Sequence, residues 1–496
     1  MNNTKIFFGL PLLALLSCNK LTENPSSVIV STQFYKTSSD AVSAVTAVYS
    51  TLNSDPASDF PIYGRNLNLL VENGSDNQIY SPSNTNPDVR ALGTATYVSS
   101  NDRVHKSWQQ HYYGISRANV AIDNIPNIPI TQFADTTLKP RLIREAKFIR
   151  ALLYFNLVRL FGAVPLILHD PTTVEASALN VARTSVDSIY AQIISDLTDA
   201  TNLPAAYSGA DIGRATSGAA HALLAKVYVT RKDWTDAQTQ LQIVINSNLY
   251  GLFPNYKDAF QRPTKNGIEH IFSVQFESNL GAVGSTQFLS ESFISFNTAV
   301  WPIDVPTDSS IAQLFAFTDT RRAVTFYYNQ YNAATGQTVV FNNAYTPYLN
   351  KFVDYDLSPL TNQTKSGVNY PVIRYAEILL LEAEVLNELN GGPTAQAYAA
   401  INQVRSRANV PGLTTGLDQA DFRDSVFLED RKEFIQEGHR WFDLVRRGGT
   451  YLYDALNKVA AKQTANGGGA AVKDTLFPIP LTEIQVDPLL TQNPGW

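Results

Sequence analysis

The chain has 496 residues, of which 44% are hydrophobic and 17% are charged, and its formal net charge at pH 7 is −6. This length and apolar content can build a large buried core, and the acidic balance argues against a nucleic-acid partner, which requires a basic surface. Cys18 is the only cysteine and Met1 the only methionine. The globular part therefore has neither disulfides nor a thiol nucleophile.

The N-terminus has the pattern of a bacterial export signal. Lys5 precedes an apolar run of eleven residues, 6–16, which is too short to span a bilayer but typical of a secretory signal. The following tetrad Leu15-Leu16-Ser17-Cys18 resembles the lipoprotein box, although Leu16 is bulkier than its usual occupant. We predict a signal peptide over 1–17, lipidation of Cys18 and a polar tether over 18–37. The alternative is a secreted protein with an incidental cysteine.

Helical periodicity begins after the tether. Ser39-Asp40 can cap a first helix, and the apolar spacing predicts further helices over 105–125, 141–161, 185–202, 214–231, 233–246, 371–390 and 393–409. The pairs 214–246 and 371–409 carry small residues at similar positions, as tetratricopeptide-type (TPR) repeats require for close helix packing. We predict a mostly α-helical fold, with a TPR-like scaffold of helical pairs over 38–53, 105–250 and 370–450.

Two long regions lack this period. Residues 54–103 are rich in Asn, Ser, Asp, Pro and Gly and are too long for an ordinary connector. In residues 251–369, short β-prone runs at 269–276 and 337–341 alternate with turn residues. We interpret both as loop-rich ligand-binding regions. The second would be an inserted lobe with short β-strands, within a single domain over 38–496.

The sequence gives little support to catalytic chemistry. Its six histidines show no metal-ligand spacing, and it has neither a nucleophile elbow nor a phosphate-binding loop. Glu433 and Glu437 would share a helix face, as a glycosidase pair might. Cations close to them would lower the carboxyl pKa, opposite to what a general acid needs; these are Arg431, Arg440, Arg446 and Arg447. We predict structural ion pairs, no enzymatic activity, no metal and no cofactor.

The segment 428–446, LEDRKEFIQEGHRWFDLVR, resembles the signature of the SusD/RagB family. This family comprises nutrient-binding lipoproteins on the surface of Bacteroidetes-type bacteria. Asp430 stands where glutamate is more usual. Further agreement at 145–166, 370–384, 401–408 and 477–496, together with the lipoprotein box, extends the resemblance along the chain.

The resemblance implies a function as well as a helical fold. A family member would be lipid-anchored in the outer membrane, facing the cell surface, and would bind oligosaccharides without cleaving them. It would deliver them to a SusC-like TonB-dependent transporter. The alternatives within the same fold are binding of peptides or protein fragments, as in the RagB branch, and a TPR scaffold that docks proteins only.

The candidate ligand contacts come from the two non-periodic regions. Sugar rings pack against aromatic faces, and their hydroxyls need oriented polar partners. The first region offers Asn73, Asp76, Tyr80 and Arg90, and the second offers Trp301, Tyr327, Tyr328 and Tyr331. Trp301 is the strongest candidate because it precedes Pro302 in a polar stretch. Alternatively, the tyrosines are half-buried strand residues and Asp76 braces its own loop.

Overall fold

The computed structural model describes residues 34–54, 61–80, 84–171, 175, 179–278, 304–306, 309–332, 337–340, 347–356, 366–465 and 475–496. The predicted signal peptide, Cys18, most of the tether and Trp301 lie outside these residues. Within the described part, no helix combines the length and apolarity needed to cross a membrane.

Sixteen α-helices are described. They are α1 (Ser38–Ser50), α2 (Leu67–Val71), α3 (Pro87–Thr94), α4 (Asp102–Asn124), α5 (Leu138–Phe161), α6 (Val186–Ala200), α7 (Ser217–Arg231), α8 (Trp234–Asn246), α9 (Arg321–Thr325), α10 (Tyr375–Leu389), α11 (Ala395–Arg407), α12 (Gln419–Phe434), α13 (Arg440–Arg447), α14 (Tyr451–Asn457), α15 (Ala460–Ala465) and α16 (Leu481–Val486).

The long helices pack in a continuous series. Helix α4 packs against α5, α5 against α6, α6 against α7, and α7 against α8; α8 then contacts α10, which packs against α11 and α12. Both predicted pairs, α7–α8 and α10–α11, carry buried alanines, among them Ala222, Ala225, Ala383 and Ala397. Such small side chains allow close approach of the backbones. The predicted mostly α-helical, TPR-like fold is confirmed.

Helix α5 is central to this series. It is buried around most of its circumference, and its polar residues are paired rather than exposed. The Arg150 guanidinium donates two 2.8 Å hydrogen bonds to the carboxylate of Asp196 on α6. Because both side chains are almost fully buried, this bidentate pair fixes the two helices in one register. The helix ends at Gly162, whose φ of +73° favours glycine.

The boundary between lobe and scaffold differs from the prediction. The helix predicted over 371–390 begins at Tyr375, because Tyr370–Arg374 forms strand β8. This strand pairs antiparallel with β2, His270–Val274, which confirms the β-prone run near 269–276. Hydrogen bonding to this partner strand keeps residues 370–374 extended in spite of the helical pattern. The sheet lies where the lobe meets the scaffold, because β8 leads directly into helix α10.

The other strands are short and also pair antiparallel. Strand β1 (Gln78–Tyr80) pairs with β3 (Asp304–Pro306), β4 (Phe326–Tyr327) with β7 (Tyr348–Leu349), and β5 (Asn329–Asn332) with β6 (Gln337–Val340). The β1–β3 pairing joins the two non-periodic regions, which are more than two hundred residues apart in the sequence.

The region 54–103 is more ordered than predicted. It contains a π-helical turn at Ile62–Asn66, helices α2 and α3, and strand β1. Every residue of α2 is buried, so the helix has no polar face and shows no amphipathic period. The predicted loop-rich region therefore also contains short regular elements, and its role in ligand binding stays a prediction.

Candidate functional site

The carboxylates of the C-terminal signature lie in a buried ion network. Glu433 accepts from Arg374 at 2.9 Å and from Arg321 at 3.2 Å, and Arg407 binds it as well. Burial alone would raise the pKa of Glu433, but the three guanidinium groups outweigh it and hold the pKa well below its usual range. A carboxylate held in its charged form is unsuited to general-acid catalysis.

Glu437 belongs to the same network. Its carboxylate binds Arg374 in a bidentate manner, at 2.7 and 2.8 Å, and accepts from Lys351 Nζ at 3.0 Å. The predicted structural ion pairs therefore exist, but their partners come from other segments than predicted. The arginines within residues 431–447 pair with other acids. Helix α12 ends at Phe434, so Glu437 lies in the turn before α13, and the predicted helix face shared by Glu433 and Glu437 was wrong.

Asp76 forms ion pairs with two of those arginines, Arg431 and Arg440. Arg440 Nε donates to its carboxylate at 2.8 Å, and Arg431 lies within 3.0 Å. Burial opposes ionisation of Asp76, but Arg440 and Arg431 prevail and lower its pKa to about 2. Asn73 is also buried, and its backbone carbonyl oxygen accepts a hydrogen bond from Lys462 Nζ. This geometry favours the structural role for Asp76, and we leave both residues out of the proposed ligand site.

The signature also needs its glycine. Gly438 has a φ of +75°, and a Cβ there would lie 2.9 Å from the Tyr370 hydroxyl oxygen. Its N–H donates to Glu72 Oε1 at 2.7 Å. This hydrogen bond connects the turn after Glu437 to the end of helix α2. The glycine of the C-terminal signature is therefore explained by packing within the scaffold.

One group in the described residues has the spacing for a metal ion: Asp430, His439 and Asp443. Burial raises the pKa of Asp430 well above its usual value, and the neighbouring Asp443 raises it further. A protonated Asp430 that donates to Asp443 explains the close approach of the two acids, and Arg446 Nε balances Asp443 at 2.8 Å. We assign no metal or cofactor to this group.

Of the aromatic residues predicted as contacts in the lobe, Tyr327 lies in a small core. Tyr327 and Tyr348 stack with ring centroids 5.7 Å apart and pack with Ile79 in a small core. Tyr327 is buried, as expected for a strand aromatic. Tyr331 lies opposite Thr338 in the β5–β6 register, and Trp301 precedes β3 in the sequence but lies outside the described residues.

Tyr80 and Arg90 form a second aromatic contact. The Arg90 guanidinium carbon lies 4.9 Å from the centroid of the half-buried Tyr80 ring. Gly93 of α3 lies against the same ring, where a Cβ would approach it to 2.8 Å. The structure thus brings these two predicted residues together at the edge where β1 meets β3.

Two exposed aromatic residues of the lobe lie around a cation. Phe317 is 92% exposed and Tyr328 is 38% exposed. The Arg322 guanidinium carbon lies 4.6 Å from the Phe317 centroid and 5.6 Å from that of Tyr328, whose hydroxyl accepts from Arg322 at 3.0 Å. A large ring left this open to solvent indicates a contact surface.

A pocket of about 300 Å³ continues this surface. Ala323, next to Arg322 in the chain, lines it together with Asn350, Tyr355 and Lys257. Tyr355 is 50% exposed, its hydroxyl donates to Asn350 Oδ1, and Lys257 Nζ lies 5.7 Å from its ring centroid. We call the group Lys257, Phe317, Arg322, Tyr328 and Tyr355 the aromatic surface.

Of the aromatic surface, the sequence identified only Tyr328. No periodic pattern distinguishes Phe317 from the buried Phe315, because both lie in a bend and turn after a 3₁₀ segment. Tyr355 and Lys257 are far apart in the sequence and meet only through the tertiary fold.

A larger groove of about 550 Å³ lies elsewhere, between α4 and the C-terminal helix α16. Its lining is mainly apolar and includes the partly exposed Tyr113 and Val486. An arginine packs on this tyrosine as well, because the Arg117 guanidinium carbon lies 5.1 Å from the Tyr113 ring centroid. This groove lies outside both predicted ligand-binding regions and serves below as a comparison site.

A helical scaffold with an aromatic, loop-borne surface is the architecture of a binding protein, and comparison with known proteins agrees. The SusD family model matches residues 269–496, and a model described as "Starch-binding associating with outer membrane" matches residues 32–229. SusD-like protein P25 of Formosa agariphila is 30% identical over 97% of this chain and 96% of its own length.

Solved structures give the same result. A SusD homologue from Bacteroides thetaiotaomicron superimposes with a TM-score of 0.81 at 25% identity, covering 93% of this chain and 98% of that one. A laminarin-binding SusD-like protein gives a TM-score of 0.75 at 27% identity, covering 93% and 100%. The chain belongs to the SusD/RagB family. Members of this family are non-catalytic carbohydrate-binding proteins, so the prediction that the chain is not an enzyme is confirmed.

Proposed function

We propose that this protein captures oligosaccharides at the outer surface of the outer membrane and that the aromatic surface is its principal contact. Family membership supports carbohydrate as the ligand class, and relatives include the laminarin-binding protein described above. The observation that carries the proposal is the exposure of Phe317 and Tyr328 around Arg322, with the exposed Tyr355 in the pocket that the next residue, Ala323, lines.

The chemistry of this surface suits a sugar. Exposed rings offer flat apolar faces to the C–H faces of pyranose rings, and their burial on binding is favourable. The Asn350 amide and the Tyr355 hydroxyl provide polar partners beside the ring. A carbohydrate site needs both, because each buried sugar hydroxyl must find a hydrogen bond.

Four of the original candidates remain predicted contacts at the margin of this site: Tyr80, Arg90, Trp301 and Tyr331. Tyr80 is the last residue of β1 and lies opposite Asp304 in the antiparallel pairing of β1 with β3, a strand of the lobe. Trp301 lies three positions before Asp304 in the sequence, so the strand pairing provides a route by which it would reach the same edge. Tyr327 would act indirectly, by supporting the strand that carries Tyr328.

Family membership also supports two further parts of the proposal, a lipid anchor at Cys18 and a transporter as the partner. We propose that lipidated Cys18 tethers the protein to the outer membrane and that a SusC-like TonB-dependent transporter receives the glycan. Two or more acyl chains give stable anchoring. Metabolic labelling with a fatty acid tests this, because Cys18→Ala is expected to abolish the label while leaving the globular fold intact. Equal label in the variant would refute lipidation.

The ligand class is tested by titrating the purified full chain, in detergent, against plant, fungal and host glycans and against mixed peptides. Calorimetry is expected to show saturable binding of at least one glycan and none of the peptides. Binding of peptides alone would support the RagB-like alternative and overturn the proposal.

A further inference from the structure

Arg322 has an unusual environment for an arginine of this chain. Its neighbour Arg321 is fully buried and binds Asp319 and Glu433. Arg322, in contrast, is only partly buried, and its guanidinium contacts the rings of Phe317 and Tyr328. Among the described residues, no carboxylate forms an ion pair with it.

The geometry leaves this cation able to bind an anion. When a guanidinium packs with aromatic rings, its in-plane N–H groups remain directed outward, where they match the oxygens of a carboxylate or sulfate. One of these groups donates to the Tyr328 hydroxyl. Arg322 is thus held in place without being neutralised.

The pocket beside Arg322 repeats this arrangement. Lys257 lies near the Tyr355 ring and, within the described part of the chain, has no carboxylate at ion-pair distance. The acids of the pocket, Asp354 and Asp356, lie 3.2 and 3.9 Å from nitrogens of the Arg262 guanidinium. Apart from Asp356, whose side chain is 58% exposed and shares Arg262 with Asp354, the charges along this surface without a described ion pair are those of Arg322 and Lys257, and both are positive although the chain as a whole is acidic.

We propose that the aromatic surface selects acidic glycans, polysaccharides that carry uronate carboxylates or sulfate esters. This inference rests on the proposed function and names its substrate class. The rings would hold the sugar faces, and Arg322 and Lys257 would pair with anionic groups along the chain. A neutral glycan would leave both cations without a counter-charge and would gain only the stacking.

The test compares glycans that differ in charge but share a backbone. Polygalacturonate is paired with highly methyl-esterified pectin, and ι-carrageenan with its chemically desulfated form, so the first comparison tests carboxylates and the second tests sulfate esters. The full chain is expected to bind at least one acidic member about tenfold more tightly than its neutral partner. Raising the salt from about 0.05 M to about 0.5 M is expected to remove most of that difference by screening.

Variants locate the effect. Arg322→Gln is expected to weaken binding of the acidic glycan about tenfold more than binding of its neutral partner, with Arg322→Lys intermediate, because lysine keeps the charge and loses the planar fork. Arg117→Gln is the matched control, since Arg117 also packs with an exposed tyrosine but on α4. The melting temperature of each variant shows whether it remains folded.

The outcomes separate the two levels of the proposal. Equal, salt-independent affinity for the charged and neutral partners would overturn the preference for acidic glycans and leave carbohydrate binding intact. Loss of affinity in Arg117→Gln but not in Arg322→Gln would overturn the assignment to this surface. Failure of every glycan to bind, with peptides bound instead, would overturn the proposed function together with this inference.

Discussion

Replacing Glu437 with glutamine removes one charge from a buried network without changing the size of the side chain. In the described part of the chain, this network links five carboxylates to five cations. The members are Asp319, Glu269, Glu429, Glu433 and Glu437, with Arg321, Lys351, Arg374, Arg405 and Arg407.

The expected cost follows from what the partners lose. Arg374 keeps Glu269 and Glu433, whereas Glu437 is the only described carboxylate that pairs with Lys351. Burial already lowers the pKa of Lys351, and Glu437 opposes that shift. Leaving a buried charge without its partner costs about 3–5 kcal/mol. With an unfolding entropy of about 0.8 kcal/mol/K for the roughly 390 residues that the structure describes, this lowers the melting temperature by about 4–6 °C.

Differential scanning calorimetry of the wild type, Glu437→Gln and the control Glu277→Gln measures this. Glu277 is 58% exposed in its side chain and lies 3.8 Å from Lys265, so its variant is expected to melt within about 1 °C of the wild type. The glycan affinity of folded Glu437→Gln is expected to be unchanged. An unaltered melting temperature, or loss of turnover of some glycan, would refute the structural role of Glu437.

Two further predictions concern residues proposed as ligand contacts from the sequence. The folded-state pKa of Asp76, about 2, is below its usual value near 4, so its stabilising effect is present above about pH 4 and is lost as the pH falls towards 2. The difference in unfolding free energy between the wild type and Asp76→Asn, measured by urea denaturation, is therefore expected to shrink over that range; a constant difference would contradict the ion-pair assignment. Trp301→Ala is expected to weaken glycan binding by about 1–3 kcal/mol without lowering the melting temperature. Normal binding with a much lower melting temperature would instead place this side chain in the core.

The helical scaffold could be predicted because its helices are long and their apolar spacing is regular. Helix α5 was predicted at 141–161 and spans Leu138–Phe161, and the α7–α8 pair was found within a few residues. Helix α2 was missed, since a five-residue helix buried on all sides has no periodic pattern. Helix α3 was missed as well, because its eight residues form only about two turns and bury few side chains. The strand at Tyr370–Arg374 was missed because its partner is about a hundred residues earlier.

The candidate site was predictable only in part. The sequence indicated the same lobe that carries the proposed site, because aromatic residues in a polar, non-periodic stretch are poorly explained by a core. Composition cannot show which of them are buried: Tyr327 supports a small core, while Tyr328, the next residue, is exposed. Asp76 looked like a loop acid, and only the fold brings Arg431 and Arg440 to it.

The central claim, that glycans bind at the aromatic surface, is tested most directly by titrating one bound glycan into Phe317→Ala, Tyr355→Ala and Tyr113→Ala proteins. Phe317→Ala and Tyr355→Ala are each expected to weaken binding by about 1–3 kcal/mol with unchanged melting temperatures. Tyr113→Ala, in the larger groove beside α4, is expected to bind like the wild type. Wild-type affinity in both lobe variants, together with loss of binding in Tyr113→Ala, would contradict the account and assign the ligand to the groove.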